Sequence, residues 1–196
     1  MKKVILTTIA TATILTPLFS NPQVSNAKTT QVNKSFTTKK VVIPNSKTAI
    51  KQMKIGTYKY NGVDLFVPRF TVLKKFGESN NDITYRKKNN ITLEDYYGKE
   101  DRLLLIYKGY KKSTPLDNLF LMEMNFDATG LNIKKSDYEK NTGKATKTIG
   151  SFKKDTYIKS QYGKRITVDY EKVNNEWYVN SINYHVENDW NTPTNQ

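Results

Sequence analysis

The sequence predicts an α+β fold with an antiparallel sheet. Three observations carry that prediction. Two continuous apolar runs of strand length, Leu103 to Tyr107 and Leu119 to Phe126, stand close together. Strand-like residues flank Asn-Gly and Asn-Asn pairs at two other places, and such pairs suit tight hairpin turns. Short stretches with helical spacing separate these hairpins, so strands outnumber helices and most connections are local.

Residues 28–46 read as a flexible polar linker. Within it, Val41-Val42-Ile43 is an apolar island that could add an edge strand before Pro44. Lys54 to Tyr60, Asn61-Gly62 and Val63 to Val67 read as the first hairpin, stopped by Pro68. Phe70 to Phe76 carries Val72, Leu73 and Phe76 at helical spacing and ends at Gly77. Ile83 to Arg86 suits a strand. Thr92-Leu93-Glu94-Asp95 reads as a helix start with Thr92 as cap. The two apolar runs then form a second hairpin, with Leu103 to Tyr107 as its central strand. Residues 127–150 read as polar connection. Ser151 to Tyr162 reads as a helix closed by Gly163. Arg165 to Val173, Asn174-Asn175 and Glu176 to Val186 form the closing hairpin, in which a change of parity between Val179 and Ile182 indicates a bulge. Residues 191–196 read as a frayed tail.

Two arrangements satisfy these elements. One is a pair of small tandem α+β units dividing near residues 128–150, since a helix–Gly–strand pattern occurs at Phe76-Gly77 and again at Tyr162-Gly163. The other is a single domain over residues 47–190 with one curved sheet.

The first residues point to export. Met1-Lys2-Lys3 precedes an apolar stretch from Val4 to Phe19, and Ser25 and Ala27 place small side chains before a cut after Ala27. The apolar stretch is shorter than the roughly 20 residues a spanning helix needs. The expected destination is extracellular, with no transmembrane segment in the mature chain. The chain contains no cysteine, which excludes disulfides, thiol nucleophiles and a lipid anchor on cysteine. Removing the two leader lysines takes the net charge from +14 to +12. A small domain ordinarily carries a charge of magnitude about 2 to 8, so this excess favours acidic partners.

Catalytic parts are few. His185 is the only histidine and falls in the last strand. Zinc patterns need more His or Cys than this, and the glycines form no phosphate-binding loop. Asp169 and Glu171 share one strand face and are the best carboxylate pair for glycosidase chemistry. Solvated side chains beside Arg165 and Lys172 are the simpler reading of both. No metal or cofactor is expected.

Clusters that mix cations with aromatics offer more. Tyr107, Lys108, Tyr110, Lys111 and Lys112 form one, Arg86, Lys87 and Lys88 a second, and Lys153, Lys154 and Tyr157 a third. Aromatic faces stack and lysines neutralise anions, so these are candidate binding patches.

The leader, the Lys/Asn/Tyr-rich composition and the lack of cysteine resemble small exported proteins of staphylococci and related Gram-positive bacteria, among them the immunodominant antigen B type and the superantigen-like toxins. The closing hairpin, Val168-Asp169-Tyr170-Glu171-Lys172-Val173 into Glu176-Trp177-Tyr178-Val179, is similar to the last strands of cystatin-like and nuclear-transport-factor-like secreted domains. That resemblance implies a curved sheet around a helix, and it assigns no functional residue.

The expected function is therefore a secreted, non-enzymatic, virulence-associated binding protein, acting on a host protein or a cell-surface component. A binder of polyanions, either nucleic acid or anionic wall polymer, is the alternative. A wall or glycan hydrolase using Asp169 and Glu171 ranks last.

Overall fold

The structure, a computed structural model, describes residues 36–149, 154–157 and 163–186. Residues 1–35 (the expected leader among them), the expected cap Ser151, Lys153 and residues 187–196 lie outside the described residues. The chain forms an α+β fold, as its hairpins predict. Among the described residues, three α-helices, α1 (Lys47–Lys54), α2 (Arg69–Phe76) and α3 (Lys135–Thr142), accompany eight strands. These are β1 (Asn81–Arg86), β2 (Ile91–Tyr97), β3 (Leu103–Gly109), β4 (Phe120–Asp127), β5 (Lys147–Ile149), β6 (Lys154–Tyr157), β7 (Lys164–Val173) and β8 (Glu176–Val186). All belong to one antiparallel sheet, in the order β1-β2-β3-β4-β8-β7-β6-β5. Among the described residues, no helix is long and apolar enough to cross a membrane.

One face of the sheet carries the core. Along β2 and β3 the burial alternates, with Leu93, Tyr97, Leu103, Leu105 and Tyr107 inward. They join Ile50 and Met53 of α1, Val72 and Phe76 of α2 and Tyr138 of α3 in a single apolar cluster. The buried sides of the helices belong to this cluster, so the opposite face of the sheet is left open.

Several expectations need correction. Residues 36–46 are packed rather than free: Phe36 stacks on Phe76 with centroids 4.5 Å apart, and Val41 and Ile43 are buried. They form no strand. Residues 47–54, which carry no expected element before the hairpin start at Lys54, are helical. Ser46 caps them, its Oγ accepting from Ala49 N at 3.2 Å, and Ile50 and Met53 supply the buried stripe. The first hairpin shrinks to its turn. Tyr60 and Val63 exchange both backbone bonds at 2.9 Å, and Asn61 (φ 47°) and Gly62 (φ 76°) take the left-handed turn conformation foreseen for them. The predicted helix start at Thr92 is strand β2, because Ile91, Leu93 and Tyr97 alternate and pair on both sides. The continuous apolar run of β3 suits a strand buried on both faces, but only one face is buried, and Leu104 and Ile106 face the open side half-buried. α3 lies where only polar connection was read; Tyr138 and Thr142 are its whole buried face. Residues 154–157 form a strand instead of a helix, because the edge of β7 offers them backbone partners that outweigh local spacing. The bulge in the last strand is present, at Asn180.

The two halves of the sheet follow one plan. α2 and α3 have equal length, begin after extended residues Pro68 and Lys134, and end at Gly77 and Gly143 with left-handed φ of 78° and 75°. Each is followed by a four-stranded antiparallel meander. Leu121 N donates to Val67 O at 2.9 Å, and Val179 N donates to Ile133 O at 2.8 Å, so each helix entry is pinned to its fourth strand alike. Bridges Pro68–Phe120 and Lys134–Tyr178 repeat the same match. Each fourth strand carries one bulge residue opposite the third strand, Met122 in β4 and Asn180 in β8. Beyond these bulges β4 and β8 pair with each other, from Glu123–His185 to Asp127–Ser181, about a centre at Asn125–Asn183. The core pairs Leu105–Met124 and Tyr107–Leu121 correspond to Val168–Ile182 and Tyr170–Val179, apolar in both halves.

Candidate functional site

The open face of the first half holds a groove of about 780 Å³, a volume in the range of ligand-binding clefts. Ile106 of β3, Phe120 and the bulge residue Met122 of β4, Phe66 and Tyr110 give it apolar walls. Phe66, Phe120 and Tyr110 are 43%, 42% and 60% exposed. Met122 is buried yet stands outside the core cluster, because the bulge turns it to the open side. Ile83 and Tyr85 of β1, also exposed, lie opposite Glu94 and Thr92 on the same face and extend the apolar surface toward the sheet edge.

Backbone geometry holds these walls in place. Phe66 has φ 65°, a conformation that costs a non-glycine residue roughly 1–2 kcal/mol. It is kept there by its N–H, which donates to Leu121 O at 2.8 Å. The segment before it is tied to β7, where buried Lys164 Nζ donates to Asp64 Oδ1 at 2.9 Å and Gly56 O at 2.8 Å. Gly109 lets the chain leave β3 toward Tyr110, since a Cβ there would meet Leu119 Cδ2 at 2.6 Å.

Charge is uneven along the groove. Lys87 and Lys108 line it at one end, Glu94 and Glu123 farther in. The β1–β2 turn and the β3–β4 loop meet at the basic end, where Arg86 Nη1 donates to Lys112 O at 2.6 Å. Two of the candidate patches, distant in sequence, thus come together: Arg86, Lys87 and Lys88 with Lys108, Tyr110, Lys111 and Lys112. Residues 86–90 and 108–114 contain no carboxylate to offset them. Tyr107 differs from its expected role. It is fully buried in the core, where burial pushes its hydroxyl well above its usual pKa, so it presents no surface. Lys154 and Tyr157 lie in β6, on the other side of the sheet order. Phe66, Phe120 and Met122 were missed in the sequence. A Phe preceding Val-Pro carries no visible mark, and the bulge that exposes Met122 appears only with the β3 register.

The second half serves as an internal comparison. At the positions of Phe66, Leu104, Ile106, Lys108 and Met122 it carries Asn132, Thr167, Asp169, Glu171 and Asn180, while Phe120 is matched by another aromatic, Tyr178. The repeated frame keeps its core pairs apolar in both halves, but the apolar side chains of Phe66, Leu104, Ile106 and Met122 on the open face occur in only one. The fold does not require the groove's composition.

The other candidate chemistry stays dispersed. His185 Nε2 lies 2.9 Å from Thr167 Oγ1, and burial first, then Arg165 and Lys108, pull its pKa below the usual value. Asp169 Oδ2 accepts from Ser181 Oγ at 3.0 Å across the β7–β8 ladder. Among the described residues no three His, Asp or Glu side chains gather as a metal site. No protein-family model, curated protein or solved structure matches this chain.

Proposed function

We propose that this is an exported, non-enzymatic binding protein that captures an acidic segment of a host protein or cell-surface protein in the groove over β2, β3 and β4. One observation carries the reading: Phe66, Ile106 and Met122 on the first half's open face are replaced by Asn132, Asp169 and Asn180 in the second, although both halves repeat one frame and Tyr178 keeps an aromatic at the position of Phe120. Exposed aromatics cost solubility and add nothing to a sheet whose core lies on its other side, so their concentration in one half calls for a ligand. Phe66, Phe120 and Tyr110 are anchors of the kind that dominate interface energies. The basic end, formed by residues 86–90 and 108–114, carries no carboxylate and selects acidic residues on the partner. The ligand is thus an extended acidic segment with an aromatic or aliphatic anchor side chain. The matching helix ends and bulges favour two tandem units over one curved cystatin-like sheet.

The test is a selection of displayed twelve-residue peptides on the purified protein. The recovered peptides are then assayed against an Ile106→Asp/Met122→Asn variant, which carries the second half's residues. Acid-enriched peptides with one aromatic anchor, binding the variant at least tenfold more weakly, are expected. Peptides without acidic enrichment, or equal binding to both proteins, would remove the proposal.

A further inference from the structure

We infer a second, separate site, for a multiply charged phosphate anion, in the recess between residues 36–42 and α2. It does not depend on the groove. The recess has a volume of about 480 Å³ and is lined by Lys39, Lys40, Lys74 and Lys75, with no carboxylate in its walls. None of these four lysines has an ion pair among the described residues. Three are nevertheless held in place. Lys39 Nζ sits over the Phe36 ring at 5.6 Å, Lys74 Nζ over the Phe70 ring at 5.2 Å, and Lys75 Nζ donates to Gly62 O at 2.7 Å. Aromatic faces and a carbonyl oxygen orient an ammonium without cancelling its charge. The Asn61–Gly62 turn presents that carbonyl, and the packed Phe36 segment brings Lys39 and Lys40 to α2.

The repeat again supplies a comparison. Lys140 of α3 corresponds to Lys74 of α2, and it is neutralised by Asp137 at 2.6 Å. The position of Asp137 is Thr71 in α2, so the first half lacks the carboxylate that the second half provides. Four positive charges lining one recess without counterions repel one another at low ionic strength, and a compact polyanion relieves that repulsion. Lysines bind phosphate oxygens as point charges. The recess suits a chain of two or three phosphates rather than a flat carboxylate.

Calorimetric titration of the full chain with inorganic tripolyphosphate at low salt tests this. Saturable one-to-one binding is expected, weakened at least tenfold in Lys39→Gln/Lys74→Gln. It should change less than twofold in Lys144→Gln/Lys172→Gln, which removes equal charge elsewhere. Circular dichroism checks that each variant folds. A parallel titration with sulfate should bind far more weakly. Equal weakening in both double variants, equally tight sulfate binding or no saturation would overturn the inference.

Discussion

Phe66 joins strain and exposure in one residue. Its left-handed backbone is unfavourable for an aromatic, and its ring is not in the core. Strained conformations persist at functional sites when the surroundings hold them. The second half places Asn132 at the equivalent position, with φ 55°, and asparagine accepts that conformation readily. Phe66→Asn should therefore match or exceed the natural protein in urea denaturation, by up to about 1 kcal/mol, while losing peptide binding. A loss of 2 kcal/mol or more would mean that the ring supports the fold. His185 is the residue through which acid should act on stability. Burial, Arg165 and Lys108 favour its neutral form in the folded state. Glu123 faces it from β4 and Arg165 from β7. A depressed folded pKa leaves the unfolded chain binding more protons. Stability is then full above the unfolded value near 6.5 and declines as pH falls through the folded value. Urea midpoints at pH 7.5 and pH 5.5 should show this decline, and His185→Asn should reduce it. An unchanged pH dependence in the variant would assign the effect to carboxylates.

The segment from Phe36 to Ile43 is the element that changes most between expectation and structure. It lacks period and is rich in Lys and Thr, so sequence reasoning takes it for linker. Three apolar residues suffice to dock it, because Phe36 fills a site made by Tyr60, Phe76 and Tyr97, which come from separate elements. Phe36→Ala should cost roughly 3–5 kcal/mol in chemical denaturation, the range for emptying a buried aromatic site. A cost under 1 kcal/mol would return the segment to the role of linker. Hairpins were readable wherever local chemistry sets them, as at Asn61-Gly62 and Asn174-Asn175, and alternation located β7 and β8. β2 and β6 were misread because both start like helices, with Thr92 and Ser151 as apparent caps. Backbone pairing with β3 and β7 overrides such local preference. α3 offers only Tyr138 as a large buried residue, too little to show a helical period.

At the scale of the molecule, the chain repeats its frame and differentiates its surfaces. The repeat was only half visible in the sequence. The sequence places a second helix end at Gly163, whereas the structure has it at Gly143, and the matching α3 is nearly all polar. The frame comes from backbone features: two left-handed glycines, two bulges and two helix entries pinned to a fourth strand. The candidate site was visible as charge, in Arg86 to Lys88 and Lys108 to Lys112, but not as shape. Its apolar walls depend on which side of the sheet Ile106, Phe120 and Met122 face, and that is settled only by the β3–β4 register. The central claim is that the first half's open face receives an acidic segment. Amide NMR titration with a selected acidic peptide tests it most directly. Shifts should concentrate at Phe66, Lys87, Ile106 to Tyr110 and Phe120 to Glu123, weaken with added salt, and spare Thr167, Asp169 and Asn180. Shifts centred on the second half's open face, or scattered over the lysines of the whole surface, would contradict the account.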